Sequence, residues 1–428
     1  MAFRPSAAEL AVSKRILNPK RLPGPTLEDF ADAQKTLTGV VQETPIEFSR
    51  YLSEVLGHPV HLKCENLQRT GAYKIRGAYY CISKLSEEEK AHGVVAASAG
   101  NHAQGVAFAA REQGIKATIF TPMGVALPKL QATQAYGAEV VLGGDSINEP
   151  LKAAQEFAER TGAVRIPPFD HPDIIAGQGT VGLEIMDQVP EVTTVIVPIG
   201  GGGLMAGVAS AMKQRARAAG ISIKVIGVQA ENAASYPPSL KAGKPLQIDV
   251  KSTINDGIAV QKPGMLNFEI IKDAVDDIVT VSDDETARAM LVLLERAKLV
   301  VEPSGAVGVA AILEGKILAT GPTVVVLSGG NIDPMIMERV ISRGMAGAGR
   351  YMKMRIPLPD RPGQLARTSQ IVSENNANVV EVIHTRHGNG LPISQVELEL
   401  HVETRGPEHA EEVLSALRAE GYEPRVVF

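Results

Sequence analysis

Residues 193–207 read TTVIVPIGGGGLMAG. The run TTVIVP is rich in β-branched residues and apolar nearly throughout, the pattern of a strand buried on both faces of a parallel sheet. Four glycines follow, and then a stretch (204–218) whose apolar residues recur at helical spacing. Consecutive glycines between a strand and a helix offer a row of backbone N–H groups beside the positive end of the helix, which makes an anion cradle. Phosphate is the expected occupant.

The same alternation extends in both directions. Further short β-branched runs lie at 94–98, 117–121, 138–142, 224–229, 277–281 and 323–328, with helical patterns at 102–113, 151–161 and 284–298. Strands alternating with helices predict an α/β fold built on one or two parallel sheets. Three strands run into turns rich in small residues: SAGNH at 98–102, GGGG at 200–203 and SGGN at 328–331. In open α/β sheets, ligands bind at the carboxyl ends of strands, so the three turns are expected to line one crevice.

Composition excludes several classes. A net charge of -5 with no Lys/Arg block argues against nucleic acid or an anionic membrane as partner. No apolar run approaches the length of a membrane helix, and MAFRPSAAELAVSKR at the start lacks a signal-peptide core. Cys64 and Cys81 are too few for a disulfide scaffold and have no zinc-site companions nearby in sequence. Together these features predict a cytoplasmic protein.

Near residue 341 the pattern changes. ISRGMAGAGR (341–350) carries three glycines and reads as a linker. Beyond it come a strand (YMKMRIPL), a DRPG turn into a helix, two strands around Gly388 and Gly390, a helix (PEHAEEVLSALRAEG) and a last strand. The order β-α-β-β-α-β is that of a ferredoxin-like unit.

The chemistry-bearing residues sit in two further segments. GAYKIRGA (71–78) places Lys74 between Tyr73 and Ile75; an ammonium in apolar surroundings loses basicity and becomes a better Schiff-base former. ASAGNHAQG (97–105) offers small residues, polar side chains and a helix start for a carboxylate or phosphate. His102 reads as a loop-orienting histidine or as a base. The glycine turn alone stays ambiguous: Gly201, Gly203 and Ala206 also fit the G-x-G-x-x-[GA] dinucleotide fingerprint, with Glu231 near the end of the next strand. On that fingerprint, a nicotinamide oxidoreductase and a pyridoxal-phosphate enzyme are equally served.

The ordered set GAYKIRGA, SAGNHAQG, GGGGL and LSGGN resembles the threonine dehydratase and serine racemase group of pyridoxal-phosphate enzymes, over roughly residues 25–340. The resemblance implies a two-lobed fold type II catalytic region, of the tryptophan synthase β kind, over residues 1–340. A small lobe of about 52–158 would be inserted in the large one. It implies pyridoxal 5'-phosphate on Lys74, with its phosphate on Gly200, Gly201, Gly202, Gly203 and Leu204. Asn101 would face the 3-oxygen and Ser328 the pyridine nitrogen. Tyr73 and Gly257 would flank the ring, with Glu302 at its edge. Ser98, Ala99, Gly100, Asn101 and His102 would receive the substrate carboxylate. Homodimers or homotetramers are expected.

Three departures refine the expected reaction. Ala72 replaces the usual serine of the lysine motif and loses a hydroxyl. Ala99 stands where racemases of the group carry a serine that moves a proton, which favours elimination over racemisation. Pro237 stands where a second carboxylate of the racemase metal site is sought, beside Glu231, so no essential divalent metal is predicted. The resemblance therefore implies a threonine ammonia-lyase yielding 2-oxobutanoate and ammonia, with L-serine as a second substrate. An L-serine dehydratase or a serine racemase is the alternative. RIPLPDRPGQLA in the C-terminal unit (351–428) resembles an ACT domain. This implies an amino-acid effector, isoleucine or valine, at Asp360, Arg361 and Gly363, with biosynthetic and catabolic roles both open.

Overall fold

The structure is a computed structural model; it describes residues 24–386, 392 and 394–427. The N-terminal MAFRPSAAELAVSKR segment and the turn with Gly388 and Gly390 lie outside the described residues. The chain divides into two compact units between Pro334 and Met335.

In the first unit the strands are β1 (Ile46–Phe48), β2 (Val60–Lys63), β3 (Val94–Ala97), β4 (Ala117–Thr121), β5 (Glu139–Leu142), β6 (Val164–Arg165), β7 (Thr194–Pro198), β8 (Lys224–Ala230), β9 (Asp277–Val281) and β10 (Thr323–Val326). They form a six-stranded sheet in the order β1-β2-β10-β7-β8-β9 and a four-stranded sheet in the order β5-β4-β3-β6. All neighbours are parallel except β1 and β2. β7, from the opening stretch, is central and buried along its whole length, as its unbroken apolar pattern requires.

The lobe boundaries differ from those read in the sequence. β2 belongs to the large sheet, so the small lobe begins after Lys63, and β6 carries the small sheet on to Arg165. His61 and Lys63 interrupt the apolar pattern of β2 and hide it. Lys63 is nonetheless fully buried, with Nζ donating to Glu184 Oε2 at 2.6 Å, the Thr44 carbonyl at 2.8 Å and Gln188 Oε1 at 2.9 Å.

Two helices join the lobes, Lys74–Ser83 and Pro172–Gln188. They cross in near backbone contact. A Cβ at Gly177 would stand 2.6 Å from the Gly77 Cα, so neither position admits a side chain without moving the helices apart. Arg76 lies at this crossing, out of reach of water. Its guanidinium grips both oxygens of Glu65 at 2.8 Å and those of Glu184 at 2.6 and 2.9 Å. Burial works against the Glu65 carboxylate, but Arg76 outweighs it and holds the group below its ordinary value.

In the second unit, β11 (Tyr351–Pro359), β12 (Asn378–Thr385), β13 (Gln395–Glu403) and β14 (Arg425–Val426) form an antiparallel sheet in the order β12-β13-β11-β14. Helices Gln364–Glu374 and Pro407–Ala419 complete the expected β-α-β-β-α-β order. Alternate residues of β11 (Met352, Met354, Ile356, Leu358) build its core. The expected linker at 341–350 is mostly not one. Pro334–Gly347 is a helix that buries Val340 and Gly344.

Removing one partner of a buried ion cluster costs about 3–5 kcal/mol, because the other is left charged without water. Arg76→Leu should lower unfolding stability by that amount, read from urea denaturation, and Glu65→Leu on that background should recover part of it. A loss under about 1 kcal/mol would mean that Glu65 does not carry its charge in the interior.

Candidate active site

Lys74 is the first residue of its helix. Thr70 and Gly71 bring the chain round through left-handed conformations (φ 65° and 70°). Ala72 then bridges Gly329, and the Tyr73 N–H donates to the Ser328 carbonyl at 3.2 Å. The lysine segment is thus fastened to the 328–331 turn. Lys74 Nζ donates to the Pro168 carbonyl at 2.8 Å and lies 5.3 Å from the centre of the Tyr73 ring. The residue as a whole is half-buried, but its amine sits among protein atoms. Burial pulls its pKa down to about 8, against the opposing pull of Glu302.

Asn101 opens the helix that follows β3. Its Nδ2 donates to Glu302 Oε1 at 2.8 Å, and its Oδ1 accepts from Asn331 Nδ2 at 2.9 Å. Asn331 also donates to the Thr70 carbonyl at 2.7 Å. The 98–102 and 328–331 turns therefore meet at Asn101 and Asn331, and Glu302 accepts from the first of them. Burial, with Asp256 adding to it, pushes the Glu302 carboxyl up to about 7. Gly257 packs against the same group: a Cβ there would stand 2.9 Å from Ser304 Oγ and 3.7 Å from Glu302 Oε1. Ser328 is buried beneath the Tyr73 backbone.

Within the 98–102 loop, Ser98 Oγ accepts from the Gly100 N–H at 3.2 Å, and Ser98, Ala99 and Gly100 stay half-buried. His102 is buried and its Nε2 donates to the Ile166 carbonyl at 2.9 Å. Burial and the nearby Lys74 push its pKa down to about 3, so the ring is neutral near pH 7 and anchors its loop.

The glycine turn is shaped by its neighbours. A Cβ on Gly201 would strike the Phe169 ring at 2.5 Å, and one on Gly203 would lie 3.0 Å from the Phe169 backbone. Gly202 has φ +103°, and a side chain there would run into the Tyr236 hydroxyl. The Gly201 carbonyl accepts from the Gly264 N–H (3.1 Å), Tyr236 Oη (3.2 Å) and Asn267 Nδ2 (3.0 Å), which fixes the turn. A helix starting at Gly203 leaves its first N–H groups without intrahelical acceptors, and Leu204 is among them. The cradle thus fits a phosphate group, and Lys74 fits a carbonyl-bearing cofactor.

Pro168, Phe169, Asn331, Tyr236 and Asn267 join the site without having been singled out by the sequence. Asn331 was within reach, being the last letter of SGGN. Pro168 acts through a backbone carbonyl, Phe169 through a packed ring, and Tyr236 and Asn267 through single hydrogen bonds to the Gly201 carbonyl, none of which leaves a motif. Glu231 lies exposed in a short turn after β8. In the second unit, Asp360 and Arg361 are exposed, the Asp360 N–H donates to the Ser394 carbonyl at 3.1 Å, and Gly363 caps a helix with φ +88°.

Residues 37–329 match the model of the pyridoxal-phosphate dependent enzymes, and residues 355–421 match that of the ACT domain. An L-threonine ammonia-lyase of Thermotoga maritima is 48% identical over 402 residues, 94% of this chain and 99% of its own. Among solved structures, maize serine racemase superposes with TM-score 0.70 at 35% identity, covering 76% of this chain and 98% of that one. The processed form of threonine deaminase isoform 2 from Solanum lycopersicum gives TM-score 0.70 at 36% identity, covering 75% and 94%. Among the described residues, no helix is long and apolar enough to cross a membrane. The glycine turn is therefore not that of a nicotinamide oxidoreductase: the chain belongs to the pyridoxal-phosphate-dependent enzymes, with an ACT domain at its C-terminal end.

Proposed function

We propose that this enzyme is a threonine ammonia-lyase, converting L-threonine to 2-oxobutanoate and ammonia. The 48% identity to a lyase of that name, over 94% of the chain, carries the reading. L-Serine is proposed as a second substrate, since one methyl group is worth only about 1–3 kcal/mol of discrimination in a pocket. Ala99 holds no side-chain proton on the loop and so disfavours racemisation.

Pyridoxal phosphate, when bound, supplies the electron sink for bond cleavage at the substrate α-carbon. Lys74 is assigned as its attachment point and as the base for the α-proton; an amine held beside the reacting carbon replaces a bimolecular encounter. The N–H groups of Gly200–Leu204 are assigned to the phosphate, and the Ser98–His102 loop is assigned to the substrate carboxylate. Asn101 has one amide hydrogen beyond that given to Glu302, and this donor is assigned to the 3-oxygen. Tyr73 and Gly257 would pack on the two ring faces. Net loss of the α-proton and the β-hydroxyl as water would give an enamine, whose imine tautomer takes up water to yield 2-oxobutanoate and ammonia. The ACT unit is proposed to take isoleucine or valine at Asp360, Arg361 and Gly363, in a homodimer or homotetramer.

Purified protein should release 2-oxobutanoate from L-threonine, with the rate changed by L-isoleucine. Lys74→Ala should abolish turnover while still binding pyridoxal phosphate. A Lys74→Ala enzyme of full activity would sink the assignment, and indifference to isoleucine would remove that effector alone.

The lowered pKa of Lys74 sets a pH dependence. Only the neutral amine is nucleophilic, so its fraction grows as pH rises through about 8. The rate at which apoprotein takes up pyridoxal phosphate, followed by the visible band, should rise with pH and level off above that value.

Ser328 offers a hydroxyl, which cannot hold a proton on the pyridine nitrogen as a carboxylate does. A weaker sink favours prompt elimination. Ser328→Asp should divert product from 2-oxobutanoate toward transamination, measured by chromatography; an unchanged partition would refute this role.

A further inference from the structure

Cys81 has no ligand companions near it in sequence, but the fold supplies them. Cys81 lies on the lysine helix, two turns beyond Lys74, and its Sγ is 3.9 Å from His171 Nδ1. Asp173 Oδ2 lies 3.7 Å from the same nitrogen. The three ligand atoms all fall within 4.8 Å of one another. In tetrahedral zinc coordination, bonds of about 2.0–2.3 Å place neighbouring ligand atoms about 3.4–3.6 Å apart. A contraction of a few tenths of an ångström meets that for two of the pairs. One thiolate, one imidazole and one carboxylate form a donor set that suits zinc and disfavours magnesium or calcium.

We propose that Cys81, His171 and Asp173, none of which is assigned to cofactor or substrate, bind one zinc ion, with water as the fourth ligand. His171 and Asp173 are each about a quarter exposed on their side chains, which gives the ion an entry path and the water a place. The Cys81 thiol is free and buried. His171 Nδ1 now accepts the Asp173 N–H at 3.2 Å, and the ion takes over that lone pair.

The site sits at a strategic junction. The preceding residues are Pro168, whose carbonyl holds Lys74 Nζ; Phe169, which shapes the glycine cradle; and Asp170, which accepts from the N–H groups of Met265, Leu266 and Asn267. Zinc would tie this loop to the lysine helix and thereby stabilise the fold by mass action.

The test uses chelator-stripped holoenzyme dialysed against zinc chloride. Wild type should retain one zinc per chain and unfold at a higher temperature with zinc than without. Cys81→Ala, His171→Gln and Asp173→Asn should each weaken zinc binding by about tenfold or more, as loss of even an outer-shell partner does. Cobalt in place of zinc should give a sulfur-to-metal charge-transfer band in the near-ultraviolet difference spectrum, absent in Cys81→Ala. If Cys81→Ala does not fold, zinc retention by the partly exposed Asp173→Asn decides the matter in its place. No zinc retained by wild type, or equal retention by the variants, overturns the proposal.

Discussion

Arg76 cannot lose its proton and has no water around it, so two carboxylates must follow it into the interior. Much else depends on that demand. Glu65 comes from the turn after β2 and Glu184 from helix Pro172–Gln188, while Arg76 sits two residues beyond Lys74 on the lysine helix. Lys63 closes the cluster from the large sheet. The charged groups dictate which faces of the two helices meet, and Gly77 and Gly177 let them meet closely enough for the hydrogen bonds to form. The position of Lys74 is therefore set in part by a cluster of side chains that have no assigned part in cofactor or substrate binding. Hydrophobic packing alone would allow such helices to slide; a multidentate guanidinium with fixed fork geometry does not.

In the cleft the electrostatics run the other way. In the Arg76 cluster, the buried charges are paired with one another. Inside the cleft, Lys74 is drawn down to about 8 and Glu302 raised to about 7, both chiefly by burial. Both ionisations therefore fall close to neutral pH, where proton exchange at either costs little. His102, at about 3, is kept out of that exchange and serves as a neutral donor to Ile166. The same desolvation thus gives three different results, decided by what else each group touches.

Much of this is legible in the sequence, for identifiable reasons. β7, β8 and β9 are strands whose apolar, β-branched runs announce them, and the glycine turn is chemistry written in consecutive letters. β2 is not legible, because two of its four residues are His61 and Lys63, and only tertiary partners explain a lysine in a buried strand. The second half of helix Pro334–Gly347 escapes a sequence reading because a glycine buried in a helix looks the same there as glycine in a flexible link. Lys74 and Asn101 stand in motifs. Pro168 and Gly201 do not betray their roles, since they contribute carbonyls, and every residue has one.

The candidate site also shows why motif order matters more than any single motif. Lys74 and Pro168 are 94 residues apart, Asn101 and Glu302 are 201 apart, and Asn101 and Asn331 are 230 apart. None of these contacts can form locally, and each closes a long loop whose entropy must be repaid by the others. The amide of Asn101 has value only when Glu302 and Asn331 are both in place, and Asn331 is in place only when the 328–331 turn has fastened the lysine segment through Ala72 and Tyr73. The geometry of the cleft is thus a property of the whole catalytic unit. A chain that keeps GAYKIRGA but loses SGGN would keep the lysine and lose the Ser328 and Asn331 contacts that fasten its segment.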